Sequence, residues 1–256
     1  MNMKIVREIF GRIWALYAAV VFIITMVIFL VPFLIFCYFK EEPEKSIRFN
    51  FISKIWIKNF LLLIASPLKV KGEENFVPGE NYIVLCNHNS FMDVPVATPY
   101  IPGGNKTIAK IELSRIPVFG MIYKTGSILV DRKSDVSRKE SYAKMKEVLN
   151  MGLHMCIYPE GTRNKTSQPL KSFHNGAFRL ALDTGKSIIP ALIFNTKKVL
   201  PADKTFYAEP HRLRMHFLKP IDALPGESAE ELRDRIFKIM GDYYVRQNAK
   251  VKHSNF

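Results

Sequence analysis

Two hydrophobic regimes divide the 256-residue chain. From Ile13 to Phe39 it runs 27 residues without a charge, with Thr25 and Pro32 the only mild interruptions. As a helix this run would be roughly 40 Å long, more than the roughly 30 Å hydrocarbon core of a bilayer. It is too long for a signal-peptide core, and Cys37-Tyr38-Phe39-Lys40 offers no small-residue cleavage site. The pattern predicts a retained membrane anchor. Phe51 to Ala65 comes next, where Asn50, Lys54 and Lys58 recur every four residues beside Ile55, Trp56, Phe60, Leu62 and Leu63. A basic stripe opposite a bulky apolar face predicts a helix in the membrane interface, against the plainer reading of a core helix. Ser66-Pro67 ends it.

Beyond residue 67 the apolar runs become short. Leu68 to Val70 reads as an edge strand, and Tyr82 to Cys86 as a buried one. Thr107 to Lys110, Ser127 to Val130, Met155 to Tyr158 and Ile188 to Phe194 come after them, the last interrupted by Pro190. Leu213, Met215 and Phe217 alternate with polar neighbours, as in a strand with one wet face. Between the strands lie helical patterns. A short one spans Glu112 to Ser114 and stops near Pro117. A longer one opens on the capping box Ser137-x-x-Glu140 and closes at Gly152. Others run from Gly176 to Asp183, stopped by Gly185, and from Ala229 to Val245. Alternating strands and helices predict an α/β sandwich. The chain therefore divides into 1–67, anchor and interfacial helix, and 68–256, the globular domain.

Charge changes the picture. Against 23 Asp and Glu stand 37 Lys and Arg, a net +14. Such a balance calls for nucleic acid or an anionic membrane as partner. The basic residues are scattered and no nucleic-acid motif is present, so an anionic bilayer is the expected partner. A positive leader (Lys4, Arg7, Arg12) argues for a cytoplasmic N-terminus, which a single span would follow with an extracytoplasmic domain. The three cysteines, Cys37, Cys86 and Cys156, sit in apolar runs without ligand spacing and point instead to a reducing compartment. A break at Pro32, returning the segment to its own side, reconciles the two.

Two buried strands end in polar clusters, where open α/β sheets place their chemistry. The first is Asn87-His88-Asn89-Ser90-Phe91-Met92-Asp93. Asp93 is near enough to bond one ring nitrogen of His88, leaving the other basic, although such loops also serve merely to cap backbone groups. The second is Pro159-Glu160-Gly161-Thr162-Arg163. Arg163 is a fixed cationic fork for a phosphate or carboxylate, or else an ion-pair partner of Glu160. Gly161 permits a positive φ that would bring its amide to a ligand. A base beside an anion clamp implies a substrate with both a hydroxyl and a phosphate.

These clusters resemble the glycerolipid acyltransferases of the 1-acyl-glycerol-3-phosphate acyltransferase type. The resemblance is carried by Asn87-His88-x4-Asp93 and Glu160-Gly161-Thr162-Arg163. Lys110-x-Glu112-Leu113-x3-Pro117-x2-Gly120, Gly126-x3-Val130-Asp131-Arg132 and Ile189-Pro190-Ala191 extend it in order over residues 68–220. It implies a mixed, mostly parallel sheet flanked by helices behind a membrane-embedded segment; the thiols and the break at Pro32 are what put the catalytic domain on the cytoplasmic face. It implies that His88, oriented by Asp93, deprotonates the hydroxyl of a lysophospholipid, which attacks the thioester of acyl-CoA or acyl-carrier protein without an acyl-enzyme. Arg163, helped by Lys110, would hold the acceptor phosphate, with Glu160, Gly161 and Thr162 shaping that site. Asn89, Phe91 and Met92 fall at variable positions. Neither metal nor cofactor is implied. The leading expectation is lysophosphatidate acylated to phosphatidate. Alternatives are the same chemistry on glycerol 3-phosphate, a lyso-aminolipid or another lysophospholipid, a thioesterase or hydrolase using His88 on water, and a silent lipid-binding protein.

Overall fold

Successive side chains of the central strands point to opposite faces, and both faces are apolar, so each strand feeds two cores. Ile83 and Leu85 of β2 (Ile83–Cys86) face one side with Met155 and Ile157 of β5 (His154–Ile157), while Val84, Cys86 and Cys156 face the other. The computed structural model describes residues 3–131 and 133–253, so Arg132 lies outside the described residues. The remaining strands are β1 (Leu68–Lys71), β3 (Asn105–Lys110), β4 (Ser127–Val130), β6 (Ile188–Phe194) and β7 (Leu213–Phe217). They form a seven-stranded sheet in the order β1-β7-β6-β2-β5-β3-β4, parallel throughout except between β6 and β7. This is the mixed, mostly parallel sheet that the sequence implied.

On one face pack α5 (Asp135–Asn150), α6 (Gly176–Thr184) and α8 (Ala229–His253). The other carries α2 (Glu44–Leu63) and α3 (Asp93–Ala97), with α1 (Met3–Phe33) laid over α2. Beside β3 stands α4 (Phe119–Gly126), and α7 (Thr196–Val199) comes directly after β6.

Proline 190 does not interrupt β6, and the hydrogen-bond ladder explains why. In a strand the N–H and C=O of one residue point the same way, and the Pro190 carbonyl accepts from Leu218 N beside β7. The missing N–H would face Leu218, one step past Phe217 where β7 stops, so only the reciprocal bond of this end pair is lost. The start of α5 also differs from expectation. Its N-cap is Ser134, whose Oγ accepts from Ser137 N at 3.2 Å; the Ser137 hydroxyl instead accepts from Asp131 N. A serine three residues upstream outcompetes Ser137 because it leaves the helix its acidic first turn at Asp135.

The N-terminal segment forms a hairpin of helices. Helix α1 continues through Pro32 into a wider π turn at Leu34–Tyr38, reverses over 39–43 and returns as α2. Reversal therefore falls after the proline, the wider turn absorbing its missing donor. The run Met3–Tyr38 is long and apolar enough to cross a membrane. It does not project from the body, however. Arg7 forms a two-pronged ion pair with Glu209, and Gly11 O accepts from Ala208 N. A side chain at Gly11 would strike the Tyr207 ring. Further along, Phe22 packs on Trp56, Phe60 and Phe119, Trp56 Nε1 donates to Thr25 Oγ1, and Phe33 meets Phe49. The opposite face of α1, including Ile13, Leu16, Ile24 and Ile28, is exposed.

Of the polar stripe expected on α2, Lys58 is exposed and Lys54 pairs with Glu73, but Asn50 is buried, its amide donating to Gly103 O. Trp56, Ile57, Phe60, Leu61 and Ile64 are buried against the sheet. This helix is apolar on two sides because it lies between α1 and the sheet.

Candidate active site

Strand β2 ends at Cys86, and the loop beyond it is held by side chains. Asn87 pairs with the main chain of Ile193 in both directions, its amide donating to Ile193 O and its oxygen accepting from Ile193 N. The chain then wraps around Asp93, which is completely buried at the start of α3. Asp93 Oδ2 accepts from His88 Nδ1 at 2.9 Å, Asn89 N at 2.5 Å and Ser90 N at 2.7 Å, while Oδ1 accepts from Thr196 Oγ1 at 2.5 Å. A carboxylate facing four donors is fully satisfied, and a carboxylate beside Nδ1 puts the ring proton there. The lone pair is thus on Nε2. His88 lines a cleft of about 550 Å³ that opens between the ends of β2, β3 and β5. Tyr158 packs against its ring, centroids 4.7 Å apart. Burial pushes the Tyr158 phenol up, and among the described residues its hydroxyl has no hydrogen-bond partner.

The second cluster divides its labour. Glu160 does not line the cleft. It is completely buried, with Oε1 accepting from His88 N at 2.7 Å and Oε2 from Lys171 N at 2.9 Å. Burial pushes its carboxyl up to about 7, against the pull of those two amides and the His88 ring. It is thus a brace behind the wall, joining the two loops, which Asn164 N and His88 O join again at 2.6 Å. Gly161 has φ +67°, as the turn requires, and a side chain there would lie 2.8 Å from the His174 ring. Its amide donates to Tyr158 O rather than reaching a ligand. The Thr162 hydroxyl accepts from Lys171 Nζ at 2.8 Å.

Arg163 is left without an acidic partner among the described residues, because the Glu160 oxygens are already engaged. Its guanidinium lies 3.4 Å from the centroid of the Phe91 ring, itself 68% exposed. Stacking occupies the face of the guanidinium and leaves its edge donors free. Lys110 reaches the cleft from the end of β3, with Glu112 at 3.5 Å from its Nζ. Lys165 and Lys171 also line it, and no Asp or Glu does among the described residues. The arrangement offers one imidazole nitrogen and several cations to one space.

The structure brings together His88, Asp93, Lys110, Gly161, Thr162 and Arg163, and sets Glu160 behind them. Sequence reasoning missed Thr196, Tyr158, Lys165 and Lys171. Tyr158 sat in view as the last residue of a buried strand. Thr196 gave no signal, since its partner is 103 positions away. Among the described residues no group of three or more His, Cys, Asp or Glu could hold a metal ion.

Several known proteins are similar to this chain over the stretch that builds the cleft. A 1-acyl-sn-glycerol-3-phosphate acyltransferase of Helicobacter pylori is 32% identical over 178 residues, 68% of this chain and 74% of that protein. One of Borreliella burgdorferi is 29% identical over 212 residues, 80% of this chain and 81% of its own. One of Cocos nucifera is 30% identical over 149 residues, 57% of this chain, and the match spans only 47% of that longer relative. In fold, the chain is similar to the crystal structure of the 1-acyl-sn-glycerophosphate acyltransferase PlsC from Thermotoga maritima. The TM-score is 0.77 at 22% identity, covering 96% of this chain and 98% of the other. The acyltransferase family model matches residues 67–194, half the chain, and includes both β2 and β5 with the loops after them. With the His88–Asp93 pair and Arg163 opening on one cleft within that stretch, this chain belongs to the acyltransferase family.

Proposed function

We propose that this enzyme transfers a fatty acyl group from acyl-CoA or acyl-carrier protein to the free sn-2 hydroxyl of 1-acyl-sn-glycerol 3-phosphate, making phosphatidate. One observation carries the reading: the outward Nε2 of a carboxylate-oriented histidine shares a cleft with an arginine that has no acidic partner among the described residues. The names of the relatives above support the acceptor. His88 Nε2 takes the hydroxyl proton as the oxygen attacks the thioester carbonyl, and the buried Asp93 charge steadies the imidazolium. When the tetrahedral centre collapses, the C–S bond breaks and the sulfur leaves with that proton, so ester and thiol form and the base is regenerated. Arg163 binds the acceptor phosphate through its free edge, with Lys110 as a second charge. Gly161 and Thr162 shape the turn that presents Arg163, and Glu160 fixes that turn to the base.

The exposed apolar face of α1 lies in one leaflet of an anionic membrane, entering and leaving on the cytoplasmic side. The clasp of Arg7 on Glu209 and the packing down to Phe33 support a helix lying along the body. Three free cysteines support a reducing compartment. Detergent-purified enzyme given lysophosphatidate and a long-chain acyl-CoA should release thiol and form phosphatidate by mass spectrometry, and His88→Ala should abolish both. Thiol release with free fatty acid alone would mark a hydrolase instead. Silence with carrier-protein donors and other lysolipids as well would refute acyl transfer.

A further inference from the structure

Three polar side chains of the His88 loop reach one segment more than a hundred residues away. Asn87 pairs with the main chain of Ile193, Ser90 Oγ donates to Leu200 O at 2.8 Å, and Asp93 Oδ1 accepts from Thr196 Oγ1 at 2.5 Å. The first two contacts end on main chain and depend only on the path of the segment. The third depends on a side chain. Thr196 is completely buried, as is Asp93, so water is excluded from their contact. Asn195, with φ +71°, turns the chain at the end of β6, and its side chain donates to Arg212 O, which fixes where the next hydroxyl stands.

We propose that Thr196 is a positioning residue of the His88–Asp93 pair. Its hydroxyl is the only side-chain donor other than His88 that meets the Asp93 carboxylate among the described residues. Oδ2 is fixed by two main-chain amides, but a carboxylate held at one oxygen can still tilt about its own Cβ–Cγ bond. Thr196 blocks that rotation by holding Oδ1. A buried carboxylate oxygen without a donor would also draw the neighbouring chain toward itself, since unmet burial is costly. Thr196 does not line the cleft, so its effect on turnover passes through Asp93.

The test rests on the acyl-transfer reading for one readout and is independent of it for the other. Thr196→Val keeps shape and removes the donor; Thr196→Ser keeps the donor. With 1-oleoyl-lysophosphatidate and oleoyl-CoA, Val should lower kcat about tenfold or more while both KM values stay within about twofold, because a misplaced base fails in the transition state rather than in binding. Ser should stay within about threefold of wild type. In parallel, the downfield ring N–H proton resonance of His88, assigned by its loss in His88→Gln, should move or broaden in Val and remain in place in Ser. Wild-type kcat in Val, equal losses in Val and Ser, or an unmoved resonance in Val would each overturn the proposal. If the wild-type enzyme forms no phosphatidate, the acyl-transfer reading fails, and the resonance alone still decides the role of Thr196.

Discussion

The two halves of the site are built by opposite rules. On the β2 side the groups are buried and every donor and acceptor around Asp93 is matched, so the carboxylate has one position. On the β5 side Arg163 stands at the mouth, held by a ring face and by no acid among the described residues, beside Lys110, Lys165 and Lys171. A base needs its geometry fixed before the substrate arrives, because misalignment costs rate directly. An anion clamp needs its donors unspent, because a pre-formed ion pair would have to break first. Polar satisfaction marks Asp93, and the lack of an acidic partner among the described residues marks Arg163.

Asp93→Asn should separate charge from shape and give the largest effect. The amide can donate to the Thr196 oxygen while its carbonyl keeps the three donors at Oδ2, so the fold survives. Loss of the negative charge should lower kcat about 10²- to 10⁴-fold in steady-state assays, with thermal unfolding close to wild type. A fall in stability as large as the fall in rate would erase the distinction between the two halves. Next comes Arg163→Gln, which removes charge-assisted hydrogen bonds to the acceptor phosphate. It should raise the acceptor KM about 10- to 100-fold with kcat much less affected, and leave thermal unfolding unchanged. A change confined to kcat would place Arg163 with the base instead.

Glu160 joins the halves and should show it through pH. Its folded-state carboxyl, near 7, lies above the ordinary 4.5, so the folded protein holds the proton more tightly. The stabilisation this gives is complete below about pH 4.5 and is lost as pH rises through about 7. Wild-type unfolding temperature, measured relative to Glu160→Gln between about pH 5 and pH 8, should therefore fall with rising pH, by an amount worth about 1–3 kcal/mol. A constant difference would refute the shift. The smallest effect belongs to Phe91→Leu, which removes the platform under Arg163 and should raise the acceptor KM about two- to fivefold, with Phe91→Tyr restoring it.

The sheet was largely readable because its strands are short apolar runs, and the ends of Ser127–Val130 and Ile188–Phe194 agree with the sequence patterns. Less readable was α4, since Phe119–Gly126 comes after Pro117 and a Val118 at φ +63°, a conformation that local preference disfavours. The hairpin reversal was displaced from Pro32 because packing of α1 on α2 overrides one missing donor. At the site, His88 and Asp93 were visible because they are close in sequence, whereas contacts made across the sheet, Thr196 to Asp93 and Glu160 to His88 N, leave no local trace. The exposed role of Arg163 could be weighed only after the Glu160 oxygens were accounted for.

Asn87 shows how a sheet can lend its backbone to chemistry. Where another residue would extend β2 with its own N–H and C=O, Asn87 hands that last rung of the ladder to its side-chain amide, which copies a peptide group and pairs with Ile193 in both directions. The main chain beyond it is released from ladder duty one step early. The amides of Asn89 and Ser90 can therefore turn inward onto Asp93 instead of sideways onto a neighbouring strand. An imitation of the backbone by a side chain frees the real backbone to become part of the catalytic machinery.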